Sequence, residues 1–126
     1  MERPRILVVD DDAELLESLS LRLRREGFDV AVAMDGCKGL QRARREAPDL
    51  LILDIHIPAG EGFSIQERLQ DMPGPWPPVI YLTGDRSMRA EVGIKRLGAF
   101  AIVYKPYDFS KLLAMVKRAI GAPHAA

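Results

Sequence analysis

Residues 6–16 read ILVVDDDAELL: four apolar residues, then three aspartates, then the start of a run with helical spacing. An apolar tetrad built from Ile, Leu and Val suits a strand buried on both faces. Leu15, Leu16, Leu19 and Leu23 follow at helical intervals, so a strand passes into a helix through an acidic turn. Three like charges at the end of an apolar strand repel one another unless a positive charge sits among them. The fold and the chemistry both turn on what supplies it.

Working outward, apolar runs bounded by turn signals recur at 6–9, 28–32, 50–53, 79–82 and 100–104 and read as strands. Between them apolar residues fall at helical spacing: Leu40, Ala43 and Ala47; Phe63, Ile65 and Leu69; Met88, Val92 and Leu97; Leu112, Leu113, Val116 and Ile120. Helix ends are marked by Gly27, Pro48, Gly98 and Gly121, and Asp108 is expected to cap the last helix. Regular βα alternation implies right-handed crossovers and a parallel sheet with helices on both faces. Strands one, three and four, almost wholly apolar, belong in the middle; the alternating second strand suits an edge.

The chain has 126 residues with 48% hydrophobic content, enough for one domain, expected over 1–126 with a core of about 5–121 and a frayed tail at 122–126 that includes His124. Eighteen basic and 18 acidic residues leave no net charge, so nothing draws the chain to nucleic acid or to an anionic membrane. No apolar run spans a bilayer and the N-terminus lacks a signal-peptide pattern, which gives a cytoplasmic expectation. The single Cys37 has no disulfide or metal partner and reads as an ordinary small residue. Gly93 inside a thin apolar stripe makes the fourth helix the weakest, and MPGPWPP at 72–78 reads as a stiff loop anchored by Trp76. The basic clusters Arg22, Arg24, Arg25 and Arg42, Arg44, Arg45 read as solvated helix faces.

Ligands of an open parallel sheet bind at the carboxyl ends of its strands. Strand one ends in Asp10, Asp11 and Asp12, strand three in Asp54, strand four in Thr83 and Gly84, and strand five in Lys105 and Pro106. A lone aspartate at such a place is a cap or a turn, but caps give no reason for Lys105, Thr83 or an apolar strand that ends on a carboxylate. Asp10, Asp11 and Asp54 are expected to converge and to share a divalent cation. Hard oxygen ligands without His or Cys side chains suit Mg²⁺, which leaves positions for phosphate oxygens. Asp12, at the start of the helix, reads as a cap.

This constellation resembles the receiver domain of two-component response regulators, over nearly the whole chain. The matching motifs are VVDDD (Asp10, Asp11), LILDIHIPAGEG (Asp54, with Pro58 and Gly62), YLTG (Thr83, Gly84) and YKPYD (Lys105, Pro106). The resemblance implies a flavodoxin-like α/β fold, a single doubly wound five-stranded parallel sheet of order 2-1-3-4-5 with five helices. It implies a phosphorelay switch rather than an enzyme: Asp54 accepts a phosphoryl group from a histidine kinase or histidine phosphotransfer protein. Asp10, Asp11, Asp54 and the carbonyl of His56 would hold Mg²⁺, Lys105 would pair with a phosphoryl oxygen, and Thr83 would turn its hydroxyl to another. The Lys105–Pro106 bond is expected to be cis, and His56 and Asp85 to flank the path of hydrolytic water. Downstream, the resemblance implies a protein target or an output domain beyond this chain, no direct nucleic-acid contact, and a phosphorylation-dependent homodimer as an option. A stand-alone receiver and one excised from a larger regulator both fit.

One departure stands out. The family commonly has an aromatic residue three positions before the lysine, and here that position is Ile102. Three rival readings fit the residues less well than the receiver. A flavodoxin-like cofactor module needs donors after strand one, where VVDDD has acceptors; an aspartyl hydrolase usually has a second Asp at position 56, which is His; a pseudo-receiver that only binds partners leaves the full acidic, Thr and Lys set unexplained.

Overall fold

The computed structural model describes residues 3–58 and 62–121, apart from the Phe63 side chain. The expected tail and His124 lie outside the described residues. The elements are β1 (Arg5–Val9), α1 (Ala13–Arg25), β2 (Asp29–Ala33), α2 (Gly36–Glu46), β3 (Leu50–Leu53), α3 (Gly62–Gln70), β4 (Val79–Thr83), α4 (Met88–Arg96), β5 (Ala101–Tyr104) and α5 (Phe109–Gly121). All strand pairs are parallel, in the order β2-β1-β3-β4-β5. The apolar strands β1, β3 and β4 are central and buried, whereas β2 and β5 are partly exposed edges.

Alternation along the strands sends side chains to two cores. Val9, Leu51, Leu53 and Tyr81 face one side with Leu40, Ala43, Ile65, Leu69, Ala90 and Ile94, so α2, α3 and α4 cover it. Ile6, Val8, Ile52, Ile80 and Leu82 face the other, under Leu16, Leu19, Leu23, Leu112 and Val116 of α1 and α5.

The helix ends follow local chemistry. Asp12 Oδ1 accepts from the amides of Glu14 and Leu15, Asp35 from Lys38, Ser87 from Ala90 and Asp108 from Lys111. Gly27 and Gly98 take positive φ of 98° and 74°, as the C-terminal reading expects. Helix α2 stops before Pro48 as expected, through Ala47 at φ 45°. One end signal differs: Gly121 is the last residue of α5 rather than the first after it.

The α4 stripe also differs from its expectation. Ala90 and Ile94 are buried, while Met88 and Val92 are 79% and 59% exposed. Small Ala90 gives a weaker apolar signal than Met88 or Val92, yet its place on the helix puts it against the sheet. The 72–78 loop behaves as read: the Trp76 indole donates to the Met72 carbonyl at 2.7 Å and is half buried. Both Lys105–Pro106 and Gly74–Pro75 are cis, the second not anticipated.

Candidate functional site at the carboxyl edge of the sheet

Hydrogen-bonded register brings the strand ends together. Val9 lies beside Leu53 and Thr83 beside Tyr104, so the residues that follow, Asp10, Asp54, Gly84 and Lys105, ring one edge. The Asp10 amide donates to Ala33 O, that of Asp54 to Val9 O, and that of Lys105 to Thr83 O, which extends the ladder one step into the site.

The positive charge among the aspartates is an ammonium of the chain itself. Lys105 Nζ donates to Asp10 Oδ2 at 2.8 Å and to Asp54 Oδ2 at 2.9 Å. Asp10 is 2% exposed and its Oδ1 accepts from the Asp12 amide. Burial pushes the Asp10 carboxyl above its ordinary range, although the Lys105 hydrogen bond pulls the other way. Burial opposes the charge on Lys105, but the bonds to Asp10 and Asp54 outweigh it and raise its pKa. Asp54 Oδ1 accepts from the Ile55 amide at 2.6 Å and, longer, from that of His56 at 3.4 Å. Both oxygens of Asp54 are therefore held in orientation.

Behind Asp54 the backbone is tightly pressed. A Cβ on Gly62 would stand 2.3 Å from Asp54 O, and the Gly62 amide donates to Ile55 O. Only glycine lets the first turn of α3 approach this closely. Thr83 is fully buried, and its Oγ1 accepts from the Asp85 amide at 3.1 Å.

Asp11 does not converge with the pair. It is exposed and makes no side-chain hydrogen bond or ion pair among the described residues. Nor do three His, Cys, Asp or Glu side chains gather as a metal cage among those residues. The donor set still suits a hard cation: two carboxylates meet at one ammonium, a third follows Asp10 in the chain and is unengaged, and all the side-chain donors are oxygens.

Three features were invisible in the sequence. His56 Nε2 and Asp85 Oδ2 lie 2.6 Å apart, joining the loops after β3 and β4 across the rim. That bond, then those from Ser87, hold the Asp85 carboxyl down at about 2. Arg86 lies over the Tyr104 ring at 4.3 Å. Tyr81, level with Ile102 in the sheet and wholly buried, donates to Gln66 Oε1 at 2.7 Å, and Gln66 Nε2 donates to Leu97 O at 3.1 Å. Level with Ile102, the position for which the resemblance implies an aromatic residue, the aromatic side chain is Tyr81 of β4. A polar side chain at the fifth residue of α3, Gln66, was the one available signal for that bond.

The response regulator receiver domain profile matches residues 6–117. The chain is similar to the transcriptional regulatory protein PrrA of Mycobacterium bovis, 40% identical over 114 residues that cover 90% of this chain and 48% of that protein. It is also similar to the DNA-binding response regulator MtrA of Mycobacterium leprae, 39% identical over 115 residues covering 91% of the chain and 50% of MtrA. It thus spans about half the length of the curated relatives it matches. Among solved structures it resembles a CheY-like receiver domain protein from Methanospirillum hungatei JF-1, with TM-score 0.89 and 31% identity over 95% of both chains. The BeF3-activated receiver domain of Klebsiella pneumoniae RstA superposes with TM-score 0.85 at 26% identity, covering 94% of this chain and 99% of that one. With the sheet order, the edge constellation and these likenesses in agreement, the chain belongs to the response regulator receiver domain family of two-component systems.

Proposed function

We propose that the domain is a phosphorelay switch in which Asp54 takes a phosphoryl group from the phosphohistidine of a kinase or phosphotransfer protein. The observation that carries this reading is the Lys105 ammonium shared by the Asp10 and Asp54 carboxylates. An Asp54 oxygen attacks phosphorus, the phosphorus–nitrogen bond breaks, and the imidazole leaves. Lys105 exchanges its bond to Asp54 for one to a phosphoryl oxygen while keeping Asp10. Asp10, Asp11, Asp54 and the His56 carbonyl would hold Mg²⁺, on which the family generally depends and which supplies charge neutralisation for the transferring oxygens.

The switch then starts at Thr83. Its hydroxyl oxygen, which accepts from the Asp85 amide, turns toward a phosphoryl oxygen and releases the loop before α4. That loop leads to a helix with exposed Met88 and Val92, so the surface of α4, β5 and α5 changes for its reader. The reader is a downstream protein, an output domain of a longer chain, or a second copy. In this reading the domain makes no direct contact of its own with nucleic acid.

Incubation with a small phosphodonor and Mg²⁺ tests the reading by intact mass. One base-labile phosphoryl group is expected, absent in Asp54→Asn. Thr83→Ala should still be phosphorylated but lose the accompanying α4 amide shifts. Equal labelling of Asp54→Asn would refute the acceptor assignment.

A further inference from the structure

A groove of about 600 Å³ lies between α2 and α3, lined by Cys37, Leu40, Arg44, Arg45, Ile65 and Arg68 among others. Its floor is apolar, since Leu40 and Ile65 belong to the core below. Its rim is cationic. Arg44, Arg45 and Arg68 are exposed and engage no carboxylate or ring among the described residues, and no Asp or Glu among those residues lines the groove. By contrast Arg42, one turn away, pairs with Glu46, and Arg22 lies over the Phe109 ring. Three unpaired guanidinium groups around an apolar trough repel one another, and a partner that brings carboxylates and an apolar stripe relieves the repulsion while covering the floor.

The shape selects the occupant. From Cys37 to Arg45, α2 advances about 12 Å, the length of roughly two helical turns. A trough between neighbouring helices accepts a third helix as ridges accept grooves. Three of the first four amides of α2 are already engaged, Gly36 on Pro58 O, Lys38 on Asp35 Oδ1 and Gly39 on Asp35 O, which leaves this end of the groove little to offer a phosphate. Among the described residues no aromatic side chain lines the groove to stack a base.

We propose that the α2–α3 groove docks a short acidic amphipathic helix of a partner protein, with its apolar stripe on Leu40 and Ile65 and its carboxylates on Arg44, Arg45 and Arg68. The docking is independent of phosphoryl transfer at Asp54 and stands whether or not that occurs.

Cys37, the only cysteine of the chain and an exposed one, reports on occupancy. A phage-displayed library of single-helix peptides, randomised at apolar and charged positions, is selected against the full chain. Each enriched peptide is then synthesised and tested for slowing alkylation of Cys37. Enriched peptides should carry Asp or Glu flanking an apolar stripe and slow alkylation. They should bind Arg44→Glu/Arg68→Glu at least about tenfold more weakly, with no change for the control Arg25→Glu/Arg118→Glu. The proposal fails if no peptide is enriched, if enriched peptides leave the alkylation rate unchanged, or if both charge reversals weaken binding equally. It also fails if polyglutamate or duplex DNA protects Cys37 as well as the peptides, since the surface would then be a general polyanion patch.

Discussion

Lys105 Nζ stands 2.9 Å from Asp54 Oδ2, a bond between residues 51 positions apart that ties the end of β5 to the end of β3. The same ammonium holds Asp10, so one cation compensates two buried or nearly buried carboxylates. Lys105→Met leaves both unpaired. At neutral pH the variant should be less stable by about 2 kcal/mol, less than for a fully buried pair because Lys105 is a quarter exposed. Without Lys105 the Asp10 pKa rises further, and a group whose folded pKa is raised stabilises the fold as pH falls. The gap to wild type should therefore narrow from pH 7 toward about pH 4. Urea unfolding across that range checks it, and a gap that widens on acidification would contradict it.

The His56–Asp85 bond closes the rim between the two loops beside the acceptor. Its removal in His56→Asn/Asp85→Ala should leave phosphorylation intact and shorten the phosphoryl lifetime several-fold, by opening a path for water. In His56→Asn alone, the Asp85 carboxyl should rise from about 2 toward its ordinary 3.8. Because its folded value is depressed, the stabilisation from this pair is present above about pH 4 and lost as pH falls through about 2. Carboxyl-carbon NMR follows the titration, and loss of label follows the lifetime. Unchanged lifetimes would assign the pair a purely structural part.

Tyr81→Phe removes the hydroxyl that joins β4 to Gln66 and, through it, to the Leu97 carbonyl. A loss of about 1–2 kcal/mol is expected at neutral pH from the unpaired Gln66 acceptor. Burial first, and then the charge of Glu67, push the Tyr81 phenol above its ordinary 10.0. A raised folded pKa means stabilisation that is complete below about pH 10 and falls away above it, so the wild-type advantage should shrink in alkali. Chemical denaturation on either side of that pH reads both effects.

Gly62 and Gly84 provide a matched pair. A Cβ on Gly62 meets Asp54 O at 2.3 Å, while one on Gly84 meets nothing within 4 Å. Gly62→Ala should cost roughly 1–3 kcal/mol through overpacking and slow Asp54 phosphorylation by shifting its backbone. Gly84→Ala should leave stability within about 0.5 kcal/mol. Equal Tm values for the two variants would show that α3 adjusts freely.

The sequence by itself determined the five βα units, the sheet order through its likeness to a known family, and the caps at Asp12 and Asp108. These rest on periodicity and on bonds within a few residues, which a linear pattern records. It also brought Asp10, Asp54, Thr83 and Lys105 to one edge, because strand ends in a parallel sheet must meet there. Only the tertiary structure decided which charge neutralises Asp10 and Asp54, that Asp11 stands apart from them, and that His56 reaches Asp85. It likewise decided that Ala90, rather than Met88 or Val92, faces the sheet, and that Tyr81 ties its strand to α3 and α4. Those outcomes depend on distances between side chains far apart in the chain, set by how closely helices press on the sheet, as Gly62 does beneath Asp54. Spacing along the chain carries no record of that closeness.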